Sequence, residues 1–184
     1  MINLSKNIKV SAVNLKSTEP KYEHTSWTGQ VIQRLTGIQY YELDFTMTFN
    51  TKDRSEVLAF IGEYGQGKAF EISLGHLSTY VGNQTGAVNC TATLPSGNIV
   101  IPTNTQQLGI GELIQFSNHK KIYRIIARTN TSLTIFHALR SNVQAGEMIR
   151  YNGITLNAVL KADNDYSMPI TTIVEMKFSA TEKF

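Results

Sequence analysis

Tyr40-Tyr41-Glu42-Leu43-Asp44-Phe45-Thr46-Met47-Thr48-Phe49-Asn50 is the stretch on which the fold turns. Tyr41, Leu43, Phe45, Met47 and Phe49 alternate with Glu42, Asp44, Thr46 and Thr48. Strict period two puts the first set on one face of a strand and the second set on the other. Eleven residues is long against a usual strand of about five or six. A long strand with one charged, polar face suits a sheet that borders solvent or lines a channel.

The period changes immediately afterwards. Asn50 is placed to cap a helix, with Asp53 as an acidic first-turn partner. Val57, Leu58, Ile61 and Tyr64 share a helical stripe with Phe60 beside it. Gly65 fits the left-handed position just past the end. One short helix is expected over 52–64, packing that stripe on the preceding strand's sheet.

Upstream, the first thirty residues read as polar and irregular, with short strand-like pieces such as Ile8 to Val13, broken by Pro20 and Gly29. Trp27 stands there as an interface anchor or as an ordinary half-buried side chain. Downstream, Ala69 to Leu74 reads as a strand and Gly75 to Gly86 as a loop. Short β segments then follow closely: Ala87–Leu94, Ile99–Ile101, Leu113–Phe116, Lys121–Ala127, Ser132–Phe136 and Glu147–Arg150. Turns punctuate them, which suggests a small barrel or sandwich. After Gly153 come Ile154–Leu160, a hairpin turn at Asp163-Asn164-Asp165, and a closing strand through Val174, Met176 and Phe178. The expected organisation is a discontinuous outer domain, residues 1–86 with 154–184, and a small β-barrel inserted at 87–153.

Composition narrows the classes. Hydrophobic residues make up 41% of the chain, enough to exclude a disordered one. Charged residues make up 17%, below the usual quarter or so, with a net charge of +3. No apolar run approaches the roughly 18 residues of a membrane helix. Cys90 is the lone cysteine, so there is no disulfide scaffold. The stretch Met1 to Lys6 lacks the apolar core and cleavage site of a secretory signal. The sequons at Asn3, Asn83, Asn89 and Asn130 are therefore read as chance in an Asn- and Thr-rich chain.

Motifs with chemistry in them are weak. Gly62-x-x-x-x-Gly67-Lys68 resembles a phosphate-binding loop, but Ala69 replaces the hydroxyl residue, and helix precedes strand rather than following it. His24, His76, His119 and His137 have no zinc spacing and read as surface or turn histidines. Cys90, in a strand-like run, reads as a small buried side chain. Lys120, Arg124 and Arg128 could share a strand face, as a phosphate stripe or, more simply, a solvated barrel face. Glu42 and Asp44 form a hydrophilic wall rather than a catalytic pair facing across a cleft. No catalytic, cofactor-binding or metal-binding residue is nominated, and no cofactor is expected. The absence of a nucleophile, base or ligand set favours a structural or interaction protein over an enzyme.

The order of segments carries a resemblance. The long strand Tyr41–Met47 precedes the helix Arg54–Ile61, and Gly67-Lys68-Ala69-Phe70 enters a strand. Later come Leu108-Gly109-Ile110-Gly111-Glu112-Leu113-Ile114-Gln115-Phe116, Lys121-Ile122-Tyr123-Arg124-Ile125 and Ala138-Leu139-Arg140-x-x-Val143-x-Ala145-Gly146-Glu147, before a closing strand ending near Glu182. This resembles the distal tail or tube-to-baseplate adaptor proteins of tailed bacteriophages and prophages, over roughly residues 30–184. Glu112 stands where that pattern commonly has Asp, and His137-Ala138 where it commonly has Pro.

The resemblance implies a mainly β fold, a tail-tube-like antiparallel β-sandwich with one short helix and an inserted small β-barrel. It implies a ring of identical subunits, usually six, in the virion tail, assembled in the cytoplasm of the bacterial host. Tail-tube and baseplate or hub proteins would be its neighbours, DNA would pass through the lumen, and no membrane is involved. Glu42, Asp44, Thr46 and Thr48 would line the channel, where a polar and mildly acidic wall lets DNA slide and a basic one would hold it. The same four side chains could face solvent or a neighbouring subunit. A tail-tube subunit, or a β-barrel module binding carbohydrate or another tail protein, are the alternative readings.

Overall fold

The computed structural model describes residues 4–184; the sequon at Asn3 lies outside them. In chain order the strands are β1 (Lys9–Thr18), β2 (Lys21–Thr25), β3 (Val31–Leu35), β4 (Tyr40–Asn50), β5 (Phe70–Ser73), β6 (Val88–Asn89), β7 (Val100–Pro102), β8 (Leu113–Phe116), β9 (Ile122–Arg128), β10 (Ser132–Phe136), β11 (Met148–Arg150), β12 (Thr155–Leu160) and β13 (Ile173–Glu182). Helix α1 (Arg54–Tyr64) joins β4 to β5. With 44% of residues in strands and 10% helical, the fold is mainly β.

Five strands form one antiparallel sheet in the order β1-β4-β13-β12-β5. The alternation in β4 is realised residue by residue: 41, 43, 45, 47 and 49 are buried, and the intervening residues are not. β13 lies beside it with Phe178 opposite Phe45, and the two rings stack at 5.3 Å. α1 covers this apolar face, its Phe60 meeting Phe70 at 5.6 Å and Phe178 at 5.8 Å edge to face. Each such pair adds about 0.5–1.5 kcal/mol beyond simple burial. The sheet is strongly curved, because its two edges approach: Ile8, Val10 and Val13, in and just before β1, share one groove with Ile72 and Ser73 of β5.

The helix differs from its expected form in three details. Asn50 does cap the entry, its Oδ1 accepting from the Lys52 N–H, but the first turn over Thr51–Asp53 is 3-10. The buried face runs through Val57 and Phe60, and Leu58 faces solvent. Gly65 keeps a right-handed conformation (φ −65°), so the expected left-handed cap is not at this position. A Cβ at Gly65 would sit 2.5 Å from the Ile61 carbonyl oxygen, so close approach explains the glycine. The left-handed turn falls at Gly67 (φ +88°).

Six strands form the second sheet, in the order β6-β11-β8-β9-β10-β7. Its edges meet. Cys90, just past β6, bridges Thr103, just past β7, and the Asn104 N–H donates to the Asn89 carbonyl at 3.1 Å. An edge that finds its own opposite edge leaves few unpaired backbone groups. The interior is filled by Ile101, Leu108, Ile114, Tyr123, Ile125, Leu133 and Val143, all fully buried.

The N-terminal region corrects the expectation of irregular chain. β1 is ten residues long and pairs with β4 along its length, with a bulge between Ser11 and Asn14. β2 and β3 form a separate two-stranded hairpin. The 163–165 segment is also not a tight hairpin. It begins a longer connection in which Asn164 clamps β13: its Nδ2 donates to the Ser179 carbonyl, and its Oδ1 accepts from the Ser179 N–H.

Candidate assembly interface

Residues Glu42, Asp44, Thr46 and Thr48 lie together on the open face of the five-stranded sheet. Register extends that face to both neighbours. Lys16 of β1 lies opposite Glu42, Asn14 opposite Asp44 and Lys9 opposite Thr48. Thr181, Ser179, Lys177 and Glu175 of β13 lie opposite the same four residues in turn. Facing pairs in an antiparallel sheet share a side. Across three strands, Glu42, Asp44 and Glu175 are therefore interleaved with Lys9, Lys16 and Lys177. The face is charge-balanced rather than acidic, which the pattern of β4 alone did not reveal.

Two of the carboxylates on this face, Glu42 and Asp44, are held in place. Glu42 accepts from Thr18 Oγ1 at 2.8 Å and pairs with Lys161 Nζ at 2.6 Å. The hydrogen bond from Lys161, then that from Thr18, holds the Glu42 carboxyl below its ordinary range, and the same bond raises Lys161. Asp44 accepts from Ser179 Oγ at 2.6 Å. Beside them a cavity of about 380 Å³ opens among Asp163, Asn164, Asp165, Glu175, Lys177 and Ser179. Its Asp165 carboxylate is turned onto Ser167 rather than toward a ligand.

The hairpin is the second surface. Every residue of β2 and of β3 is exposed. Its base is closed by Thr36, whose N–H and hydroxyl both donate to the Pro20 carbonyl. Its tip turns through Gly29 (φ +82°), with the Gln30 N–H donating to Ser26 Oγ. Trp27 stands at that tip fully in solvent, which overturns the half-buried alternative. Tyr22, Val31, Ile32 and Leu35 are also more than half exposed along the arm. Register places Tyr22 and Ile32 on one face of the hairpin and Val31 and Leu35 on the other, so apolar surface lies in water on both faces of the arm. Sequence reasoning singled out Trp27 but missed the arm. Val31-Ile32 and Leu35 were its signal.

Lys120, Arg124 and Arg128 do not form a stripe: a register shift in the β9–β10 pairing puts Arg124, opposite Phe136, and Arg128, opposite Leu133, on different sides of the sheet. Lys121 is buried, its Nζ 2.5 Å from Glu182 Oε2 and 2.8 Å from Gln39 Oε1. Glu182 also accepts the N–H groups of Tyr41 and Ile122, so one carboxylate ties β13, β4 and β9 together. Burial pulls the Lys121 ammonium below its ordinary value, and the Glu182 charge opposes that pull. Lys120 pairs with Glu71, and Arg124 lies 3.7 Å from Glu19.

The remaining motifs resolve simply. Lys68 of the loop-like motif pairs with Glu63. Cys90 is buried, its Sγ donating to the Ala92 carbonyl, and burial raises the thiol. His24 and His76 are exposed, but His119 is stacked on Phe116 at 5.0 Å with both ring nitrogens buried and unpartnered. Desolvation lowers its pKa, and the same holds for His137. Those two are therefore packed, not surface, histidines. Among the described residues no cluster of three or more His, Cys, Asp or Glu could hold a metal ion. No helix among the described residues is long and apolar enough to cross a membrane. No protein-family model matches the sequence, and no curated protein matches it.

Proposed function

We propose that this chain is a non-enzymatic subunit of a bacteriophage tail that assembles as a ring at the distal tail or baseplate junction, around the DNA channel. The observation that carries the reading is the β2–β3 arm. It is a hairpin with no buried residue, tipped by a fully exposed tryptophan. Such a feature gains nothing in an isolated monomer, because its apolar surface stays in water. It gains a great deal when a neighbouring subunit covers it, since aromatic anchors dominate contact energies. The open face of the five-stranded sheet supports the same reading. Its interleaved carboxylates and lysines present DNA with no net attraction, so phosphates would not be retained by counterion release.

The test is assembly. Light scattering and negative-stain imaging of the purified chain, alone and with the neighbouring tail gene products, should reveal rings with a central hole. Trp27→Ala with Ile32→Ser should leave the fold intact and shift the population to monomer. Monomer alone in every mixture, for wild type and variant alike, overturns the proposal.

A further inference from the structure

Between the two sheets, three buried polar side chains meet at one nitrogen. Lys121 Nζ lies 2.5 Å from Glu182 Oε2 and 2.8 Å from Gln39 Oε1. Gln39, Lys121 and Glu182 are each no more than 5% exposed. Gln39 is fixed from its other end, where Nε2 donates to Ser17 Oγ at 3.0 Å. That bond turns the amide oxygen, not the nitrogen, toward the lysine. The rings of Tyr41 and Phe184 flank the ammonium at 5.2 and 5.1 Å. The amide carbon Cδ is one bond beyond Oε1, so the amine and the carbonyl are held against each other.

An ion pair needs only the lysine and the glutamate. With the glutamine present, the group also contains a nucleophile, an electrophile and a proton carrier. A lysine attacks only as its neutral amine. Burial, with a smaller push from the Arg140 charge, pulls the Lys121 ammonium below its ordinary value. Glu182 stands in hydrogen-bond contact to take the proton. That transfer also removes two charges from a site shielded from water. Fixing amine and carbonyl side by side supplies an effective concentration of about 10⁵ M or more. Glu182 is the poorer acyl partner. Its ionised carboxylate repels a nucleophile, and its two oxygens already accept from the Tyr41 and Ile122 N–H groups.

We propose that Gln39 and Lys121 join in an intramolecular isopeptide bond, with Glu182 as the proton carrier. Lys121 Nζ, having given one proton to Glu182, forms a bond to Gln39 Cδ. The Cδ–Nε2 bond breaks, and Nε2 leaves as ammonia after receiving a proton from Glu182, which takes a second proton from Nζ in exchange. That proton stays on Glu182, so no carboxylate charge is stranded in the interior. No oxidant, cofactor or second protein takes part. The bond ties the segment entering β4 to the start of β9, across 82 residues of chain. It lies within one chain and does not depend on ring assembly.

The measurement is intact-mass spectrometry of the whole purified chain, fresh and after prolonged incubation, followed by tryptic mapping. The expected result is a mass lower than that of the sequence by about 17 Da, one ammonia, and a peptide in which residues 35–52 are joined to residues 121–124. Lys121→Arg keeps a cation beside Glu182 but cannot form the bond, and should show neither. Glu182→Gln should slow bond formation about a hundredfold or more, the usual contribution of a proton-transfer group. If a variant fails to fold, the wild-type map decides alone. An unchanged wild-type mass overturns the proposal. So does an 18 Da loss, which would mean a Lys121–Glu182 amide made with release of water, in place of the loss of about 17 Da. An ammonia loss that maps elsewhere, such as a succinimide at Asn152-Gly153, or one that persists in Lys121→Arg, overturns it as well. An undiminished rate in Glu182→Gln overturns the part given to Glu182.

Discussion

The barrel at 88–150 and the arm at 21–35 are built from the same vocabulary of β-branched and aromatic residues, yet they spend it oppositely. In the barrel, inward side chains such as Ile101, Ile114, Tyr123 and Leu133 are removed from water, and the sheet closes on itself. In the arm, Tyr22, Trp27, Val31, Ile32 and Leu35 meet no second layer. An isolated two-stranded hairpin is marginal in water. The barrel's apolar surface therefore stabilises the chain itself, and the arm's apolar surface stays in water.

Mutations can break or sharpen this contrast. The largest effect is expected where the two sheets are joined. Lys121→Met leaves the Glu182 carboxylate buried without its counter-charge and should cost about 3–5 kcal/mol in urea denaturation. Adding Glu182→Gln should recover only part of this, because it removes the buried charge but glutamine's single carbonyl oxygen can replace only one of the two oxygens that accept the Tyr41 and Ile122 N–H groups. A cost for Lys121→Met within experimental error would mean that the sheets are not locked together here. Phe45→Ala should cost a comparable 3–5 kcal/mol, since Phe45 is buried between Phe70 and Phe178.

A smaller effect separates the barrel by its pH response. Folding lowers the His119 pKa, so below 6.5 the unfolded chain binds the proton more tightly than the folded one. Stability should therefore fall as pH drops through 6.5 toward the lower folded value, and then level off. Equilibrium unfolding at pH 7.5, 6 and 5 should record this fall, and His119→Phe should flatten it. An unchanged slope in the variant would shift the effect to His137, the other desolvated histidine.

The polar face should matter less. Glu42→Gln removes a part-exposed ion pair and should cost no more than about 1 kcal/mol. Because the folded Glu42 pKa is depressed, that contribution should be present above its ordinary 4.5 and vanish as pH falls through the folded value. The least effect on monomer stability belongs to Trp27→Ala, expected within about 0.5 kcal/mol. Hydrogen exchange should match, with arm amides fast and barrel amides slow. Protection of the arm in a dilute monomer would abolish the contrast altogether.

Strands with a buried face were legible in the sequence because burial imposes a period. β4, β8 and β10 occupy their expected ranges, and β9, β12 and β13 lie close to theirs. β1 was largely hidden, since it is an edge strand with Val10, Ala12 and Val13 exposed around a bulge, and a bulge breaks the alternation. β2 and β3 were hidden for a related reason: with neither face buried, no alternation is required of them. Of the candidate surface residues, the four on β4 fall on one face as their spacing requires, and their use as a channel wall belongs to the proposed function.

By itself, then, the sequence determined the mainly β class, the helix between β4 and β5, and the polar and apolar faces of the longest strands. Those follow from local periodicity and capping, which act over a few residues. Only the tertiary structure decided that Lys121 is buried while Lys120 is not, and that lysines from β1 and β13 neutralise the face of β4. It alone left the Arg140 Nε and both His119 ring nitrogens buried without a partner. Each depends on which distant segment arrives alongside: Glu182 lies 61 residues from Lys121, and no local pattern records such a meeting.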